Sequence, residues 1–205
     1  MKLYLTPGAC SLADHIALHE AGLSFERVNV DLKTRRTSDG ADFTKVNAKG
    51  YVPTLVLDDG QVLTENAAIL FWIAQQAPQL APQGPMGQVR LVEMLAYIAT
   101  ELHKTFGRIR KPSSDDDARA AKGRLAERLQ FLADRLSEDH LFGPEFSVAD
   151  AYLYVMLRWT LGEELLTPPP LKAYVQRVEQ RAAVRAALRH EGLRPVTPAE
   201  IGAAR

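Results

Sequence analysis

The chain has 205 residues, is 46% hydrophobic and 24% charged, and balances 25 basic side chains with 25 acidic ones. That balance excludes a general basic field for nucleic acid or anionic lipid, and the size suits one large domain or two small ones. A single cysteine, Cys10, excludes an internal disulfide and points to a reducing, cytoplasmic setting, while the absence of a signal-peptide pattern or a long apolar run predicts neither secretion nor a membrane span.

Residues 1–77 alternate strand-like and helix-like patterns. "KLYL" at 2–5 reads as a strand. From Ser11 the apolar positions Leu12, Ala13, Ile16, Ala17 and Leu18 recur at helical spacing, and Gly22 stops the run. "SFERVNVDL" at 24–32 reads as a second strand, followed by a polar stretch to about Lys49. "VPTLVLDDGQVL" at 52–63 is a hairpin turned by Asp58-Asp59-Gly60, and Thr64 is placed to cap a helix over 65–76. The order β-α-β-α-β-β-α within residues 1–77 points to a small mixed sheet.

"APQLAPQGPMG" at 77–87 reads as a linker, which divides the chain into 1–77, a connector at 78–87, and 88–205. Every pattern beyond it is helical. Val92, Leu95, Ala99, Leu102, Phe106 and Ile109 mark an apolar stripe on a long helix. "ARAAKGRLAERLQFLADRL" at 118–136 is amphipathic. Ser147 and Asp150 open a third, nearly all-apolar helix that belongs inside a bundle. Pro168-Pro169-Pro170 breaks the chain before two more helices, and Thr197-Pro198-Ala199-Glu200 has the form of a final capped turn.

Three stretches can carry chemistry. Cys10 follows a Pro7-Gly8 turn and precedes a helix for which Ser11 and Asp14 offer a capping box. Free N–H groups at a helix start favour a thiolate, whereas a buried cysteine is merely a small hydrophobe; local sequence leaves both open. Val52-Pro53 opens a strand. A trans bond is the base-rate expectation there, and a cis bond would turn the Val52 backbone outward toward an extended peptide. Glu65-Asn66 stands at the start of a helix, where N–H groups hold a carboxylate and an acid either pairs with an amine or only complements the dipole. His15 and His19, at i and i+4, could hold zinc, but no third ligand has convincing spacing, so no metal is expected. Trp72 and Trp159 lie in apolar helices and read as core.

The segments "PGACSLADHIAL", "VNAKGYVPTLVLDDG", "LTENAAI", "YIATELHK" and "FSVADAYL", in this order and spacing, resemble the beta-class glutathione S-transferases of bacteria. The resemblance runs to about Leu193. It implies an α/β thioredoxin-like N-terminal domain plus an all-α helical-bundle C-terminal domain, a homodimer, and glutathione as co-substrate with an apolar electrophile. It also implies that Pro53 is cis. Cys10 matches the cysteine facing the glutathione sulfur, and Val52 the residue pairing with the cysteinyl backbone. Glu65 matches the acid on the γ-glutamyl amine, and position 66 the group on its carboxylate. His103 and Lys104 match a pair beside the sulfur and glycyl end, and Glu101 an acid reaching across the dimer. Phe146, Ser147 and Asp150 match a hydrophobic staple and capping box, a folding element. Three positions depart from the pattern. Arg35 replaces a common lysine of the substrate-binding set, Asn66 a serine or glycine, and Ala96, projected onto the His103 face, an asparagine. The implied reactions are conjugation and monothiol disulfide exchange through Cys10; the alternative is a non-catalytic binding protein of the same fold.

Overall fold

The computed structural model describes residues 1–203. β1 (Lys2–Leu5) runs parallel to β2 (Glu26–Asp31) and antiparallel to β4 (Thr54–Val56). β5 (Val62–Thr64) closes the hairpin with β4, and β3 (Arg36–Thr37) lies outside β2. The sheet order is β3-β2-β1-β4-β5. The period-2 alternation of β1 buries Leu3 and Leu5, and Leu3 pairs in register with Leu55. α1 (Leu12–Glu20) and α2 (Asn66–Gln76) pack between this sheet and the helical half.

Two details of the expected order change. The polar stretch before Lys49 holds no regular helix. It forms the two-residue β3 and one 3₁₀ turn, Phe43–Lys45, started by the Asp42 side chain accepting the Thr44 N–H at 2.9 Å. A two-residue strand carries no periodicity to read. Thr64 ends β5 instead of capping α2, and Glu65 takes the cap position.

The helical half begins with α3 (Gly87–Tyr97), which continues through a π-helical stretch, Ile98–His103, into α4 (Lys104–Arg110). α5 (Asp115–Ala133), α6 (Val148–Gly162), α7 (Pro169–Val178), α8 (Ala182–His190) and α9 (Pro198–Ala203) follow. Gly87 packs so tightly on the connector that a Cβ there would lie 1.9 Å from the Pro82 carbonyl oxygen. Of the expected stripe Leu95, Leu102 and Phe106 are buried, but Leu91 and Ile98 take the places of Val92, which is exposed, and Ala99, which is half-buried. The wider π turn also breaks the 3.6-residue spacing that would align His103 with Ala96; Ala96 is exposed and His103 half-buried. α6 is the buried spine, with every side chain from Val148 to Leu157 buried. Its Ser147–Asp150 capping box forms as expected. So does the pair at α9, where Glu200 accepts from the Thr197 N–H at 2.7 Å.

One continuous core joins the halves, running from Leu3, Leu5 and Leu55 through Ile16 and Ile69 to Leu102, Tyr154 and Leu157. No helix among the described residues is long and apolar enough to cross a membrane.

Candidate active site

A cavity of about 530 Å³ opens between the sheet half and the helical half. The sheet side contributes Cys10, Tyr51, Val52, Pro53 and the start of α2 at Glu65, Asn66 and Ala67. The opposite wall comes from the long helix, with Ala99, His103, Lys104, Phe106, Gly107 and Arg110, and from Tyr152 and Trp159 of α6. Of the residues singled out by sequence, Cys10, Val52, Pro53, Glu65, Asn66, His103 and Lys104 therefore meet in one place. Arg35 and Glu101 do not line it. Arg35, at φ 56, lays its guanidinium over Gly50. Glu101 accepts from Arg128 Nε of its own chain at 2.9 Å.

Cys10 sits just before α1, 8% exposed, and its Sγ donates to the Val52 carbonyl at 3.6 Å. The Val52–Pro53 peptide is cis. The N–H groups of Cys10 and Ser11 aim at the sulfur and favour the thiolate, as a helix start predicts, but burial and the Asp14 carboxylate outweigh them. Together they push the thiol up to about 12. The free protein thus holds Cys10 as a thiol at neutral pH.

The Ser11–Asp14 capping box does not form. Ser11 Oγ turns back to Thr6, accepting its N–H at 3.3 Å, and Asp14 is fully buried facing α2. Asn66 Nδ2 donates to Asp14 Oδ2 at 2.8 Å and to the Cys10 carbonyl at 2.9 Å. The Asn66 amide therefore points into the fold, tying the thiol loop to α2, and leaves only the helix-start backbone for a ligand. Burial holds the Asp14 carboxyl well above the usual carboxylate range.

Glu65 adopts φ 73, ψ 124, a conformation that costs a non-glycine residue about 1–3 kcal/mol. Two neighbours hold its Oε1: Lys49 Nζ at 2.6 Å and the Tyr51 hydroxyl at 2.7 Å. These bonds keep its carboxyl below the usual range. Lys49 and Tyr51 were not singled out by sequence, although both lie in the "AKGYVP" stretch beside Val52.

Across the cavity, His103 Nδ1 meets the Tyr152 hydroxyl at 2.7 Å. Burial, helped by Arg110, lowers the His103 pKa, and burial raises that of the Tyr152 phenol. Trp159, expected in the core, instead lines the cavity: its ring meets His103 edge-on at 5.3 Å and lies under the Arg110 guanidinium at 4.3 Å. Its Nε1 donates to the Gly8 carbonyl at 2.9 Å. The Gly8 N–H donates to Glu191 Oε2 at 2.8 Å, so the helical half holds the backbone of this residue at both its N–H and its carbonyl.

The raised thiol pKa makes a pH prediction. A folded pKa near 12 against 9.0 for the free thiol means that the fold favours the protonated form. The associated stability is complete below about pH 9 and is lost as pH rises toward 12, by about 4 kcal/mol in all. Urea unfolding at about pH 8 and pH 10.5 should show a fall of about 2 kcal/mol that Cys10→Ala lacks. Equal losses in both proteins would refute it.

Two family models match the chain: the N-terminal domain of glutathione S-transferase over residues 9–76 and the C-terminal domain over 96–182. Glutathione S-transferase GstA of Escherichia coli O157:H7 is 41% identical over 201 residues, covering 95% of this chain and all of the relative. A sphingomonad glutathione S-transferase solved with glutathione superposes with a TM-score of 0.87 at 47% identity, covering 95% of this chain and 100% of the other. The bacterial beta-class enzyme of Sphingomonas chungbukensis gives 0.86 at 46% identity, with the same 95% and 100% coverage. A thiol at a helix start, a peptide edge beside Pro53 and matches along both halves lead to one assignment: the chain belongs to the glutathione S-transferase family, among the bacterial beta-class members.

Proposed function

We propose that the protein conjugates glutathione to apolar electrophiles, in the cytoplasm and as a homodimer, with residues 1–77 and 88–205 as its two domains. The observation that carries this reading is the single cavity that sets peptide-binding groups against an aromatic wall. The γ-glutamyl carboxylate is held by the first N–H groups of α2, at Asn66 and Ala67, which have no partner within the helix. Its amine pairs with Glu65, whose Oε2 stays available while Lys49 and Tyr51 hold Oε1. The cysteinyl unit lies along the Val52–Pro53 edge, and Lys104 receives the glycyl carboxylate. Arg35 and Glu101, off the cavity, are left out of this set.

The glutathione sulfur then sits between Cys10 and His103. Tyr152 stays protonated and donates to His103 Nδ1, which leaves the imidazole proton on Nε2 as a donor to the ligand thiolate. The Cys10 S–H is the second donor. Both stabilise the thiolate relative to the thiol and so lower its pKa. The electrophile packs against Phe106 and Trp159.

Disulfide exchange needs the Cys10 thiolate, which attacks the glutathionyl sulfur of a mixed disulfide between glutathione and another thiol, forms the Cys10–glutathione disulfide and releases the other thiolate. A second glutathione thiolate then attacks the glutathionyl sulfur held by Cys10, which leaves as glutathione disulfide and frees the Cys10 thiolate. Because burial holds the thiol protonated, we place this reaction second to conjugation. Intact-mass analysis after incubation with glutathione disulfide should show a slow adduct, faster by about tenfold per pH unit below the thiol pKa. Cys10→Ala should form none while still conjugating. Exposed Met86, Val89 and Val92 on and before α3 support the dimer, since such apolar side chains need cover. Failure to bind immobilised glutathione together with inactivity on every aryl halide and epoxide of a panel would sink the proposal. Retention on glutathione without turnover would favour the non-catalytic alternative.

A further inference from the structure

Sequence spacing shows only the i, i+4 pair His15 and His19 on α1; the fold brings His190, at the end of α8, to the same place. We propose that His15, His19 and His190 form a binding site for a divalent transition metal of the zinc type, clamping α1 of the sheet half to α8 of the helical half.

The ligand nitrogens of the three imidazoles all lie within 4.8 Å of one another. His19 Nε2 and His190 Nδ1 stand 3.3 Å apart, about the separation of two nitrogens bound at roughly 2.05 Å to a tetrahedral zinc. His15 supplies the second, independent observation. Its side chain is fully buried, yet Nε2 has no hydrogen-bond partner. Nδ1 meets Glu191 Oε1 at 2.8 Å. A carboxylate in that position accepts the Nδ1–H hydrogen bond, which keeps the proton on Nδ1 and leaves the Nε2 lone pair bare, as the outer partner of a metal-bound histidine does. A plain tie between the two halves would explain His15 Nδ1 and Glu191. It would not explain a bare buried nitrogen with two further imidazoles around it.

The surroundings suit three protein ligands and an open position. Phe25 closes one side, edge-on to His15 at 5.6 Å and to His19 at 5.2 Å. His190 is exposed, which gives a metal its entry path and leaves room for a water as fourth ligand. Arg27, which donates to the His190 carbonyl at 3.2 Å, opposes the incoming charge; the Glu191 carboxylate on the other side favours it.

The test uses the full chain, freed of metal with a chelator, titrated with Zn²⁺ by calorimetry and with Co²⁺ by visible absorption. The expected result is one equivalent per chain and the intense bands of tetrahedral Co²⁺ without a thiolate charge-transfer band, unchanged in Cys10→Ala. His190→Ala and His19→Gln, both at the surface and checked for fold by circular dichroism, should bind at least about tenfold more weakly, since even an outer partner of a ligating histidine is worth that much. His140→Ala, whose ring meets the Pro144 carbonyl instead, should bind as the parent does. Absence of binding, weak octahedral Co²⁺ bands alone, or affinity unchanged in the His19→Gln/His190→Ala double variant would each overturn the proposal.

Discussion

Asp150→Ala is expected to cost the protein about 3–5 kcal/mol of unfolding free energy, the largest loss of any single substitution considered for this fold. The carboxylate is fully buried and serves four donors. Oδ2 accepts the Ser147 N–H at 2.8 Å and its hydroxyl at 2.6 Å; Oδ1 accepts the Leu141 N–H and the Tyr174 hydroxyl, each at 2.8 Å. Alanine leaves the two Ser147 donors and the Leu141 N–H without an acceptor and the Tyr174 hydroxyl with only the residue-150 carbonyl at 3.3 Å, at about 1–3 kcal/mol for each group that water cannot reach. The damage falls at the first turn of α6, the spine on which both halves pack. At about 2–4 °C per kcal/mol for a chain of this size, the melting temperature should fall by roughly 10 °C. Ser147→Ala removes one cap and should cost only about 1 kcal/mol. Urea unfolding should show a lower midpoint at unchanged slope. A loss below about 1 kcal/mol would show that the network is not what holds α6 in place.

Glu65→Ala should raise KM for glutathione by about 10- to 100-fold and leave kcat nearly unchanged. A hydrogen bond to a charged group is worth about 1.5–3 kcal/mol, and about 1.4 kcal/mol is a factor of ten. The amine it holds is remote from the reacting sulfur, so the contact is the same in the ground and transition states and acts on binding alone. Glu65→Gln keeps the shape but not the charge and should lie between. Lys49→Ala, at a half-exposed side chain, removes only one of the two groups holding Oε1 and should shift KM by about threefold or less. Steady-state kinetics with an aryl halide at varied glutathione decides it. A KM shift below twofold in Glu65→Ala would remove Glu65 from the binding set.

The features legible in sequence are those written locally. The Asp-Gly hairpin, the Ser147–Asp150 cap and the placement of Cys10 before a helix need only neighbours along the chain. The family pattern then brought Cys10, Val52, Glu65 and His103 together before any coordinates did. What stayed hidden depends on contacts between distant segments. His190 meets His19 across 171 positions of sequence, so no spacing rule could complete that trio. Asn66 could have faced a ligand or the core, and only the buried Asp14 decides it. The Trp159 helix looks apolar throughout, and nothing in its pattern shows that Nε1 reaches Gly8. The projection of Ala96 onto the His103 face assumed 3.6 residues per turn, which the π stretch does not keep. The Cys10 pKa turned on magnitude: the helix-start effect read from sequence is real, but burial is larger.

The Gly8 backbone, gripped by Glu191 on its N–H and by Trp159 on its carbonyl, limits how the enzyme can open. Swinging the two halves apart by an ångström or so would break both bonds at once and slacken the turn two residues before the thiol. An opening of the clam-shell kind would therefore dismantle the reaction centre each time a substrate entered. Traffic is instead expected at the mouth of the cavity, where the exposed Lys104 side chain can swing aside while Arg110 is held by Glu163 at 2.7 Å and over the Trp159 ring at 4.3 Å. The gate is made of side chains and the hinge is locked.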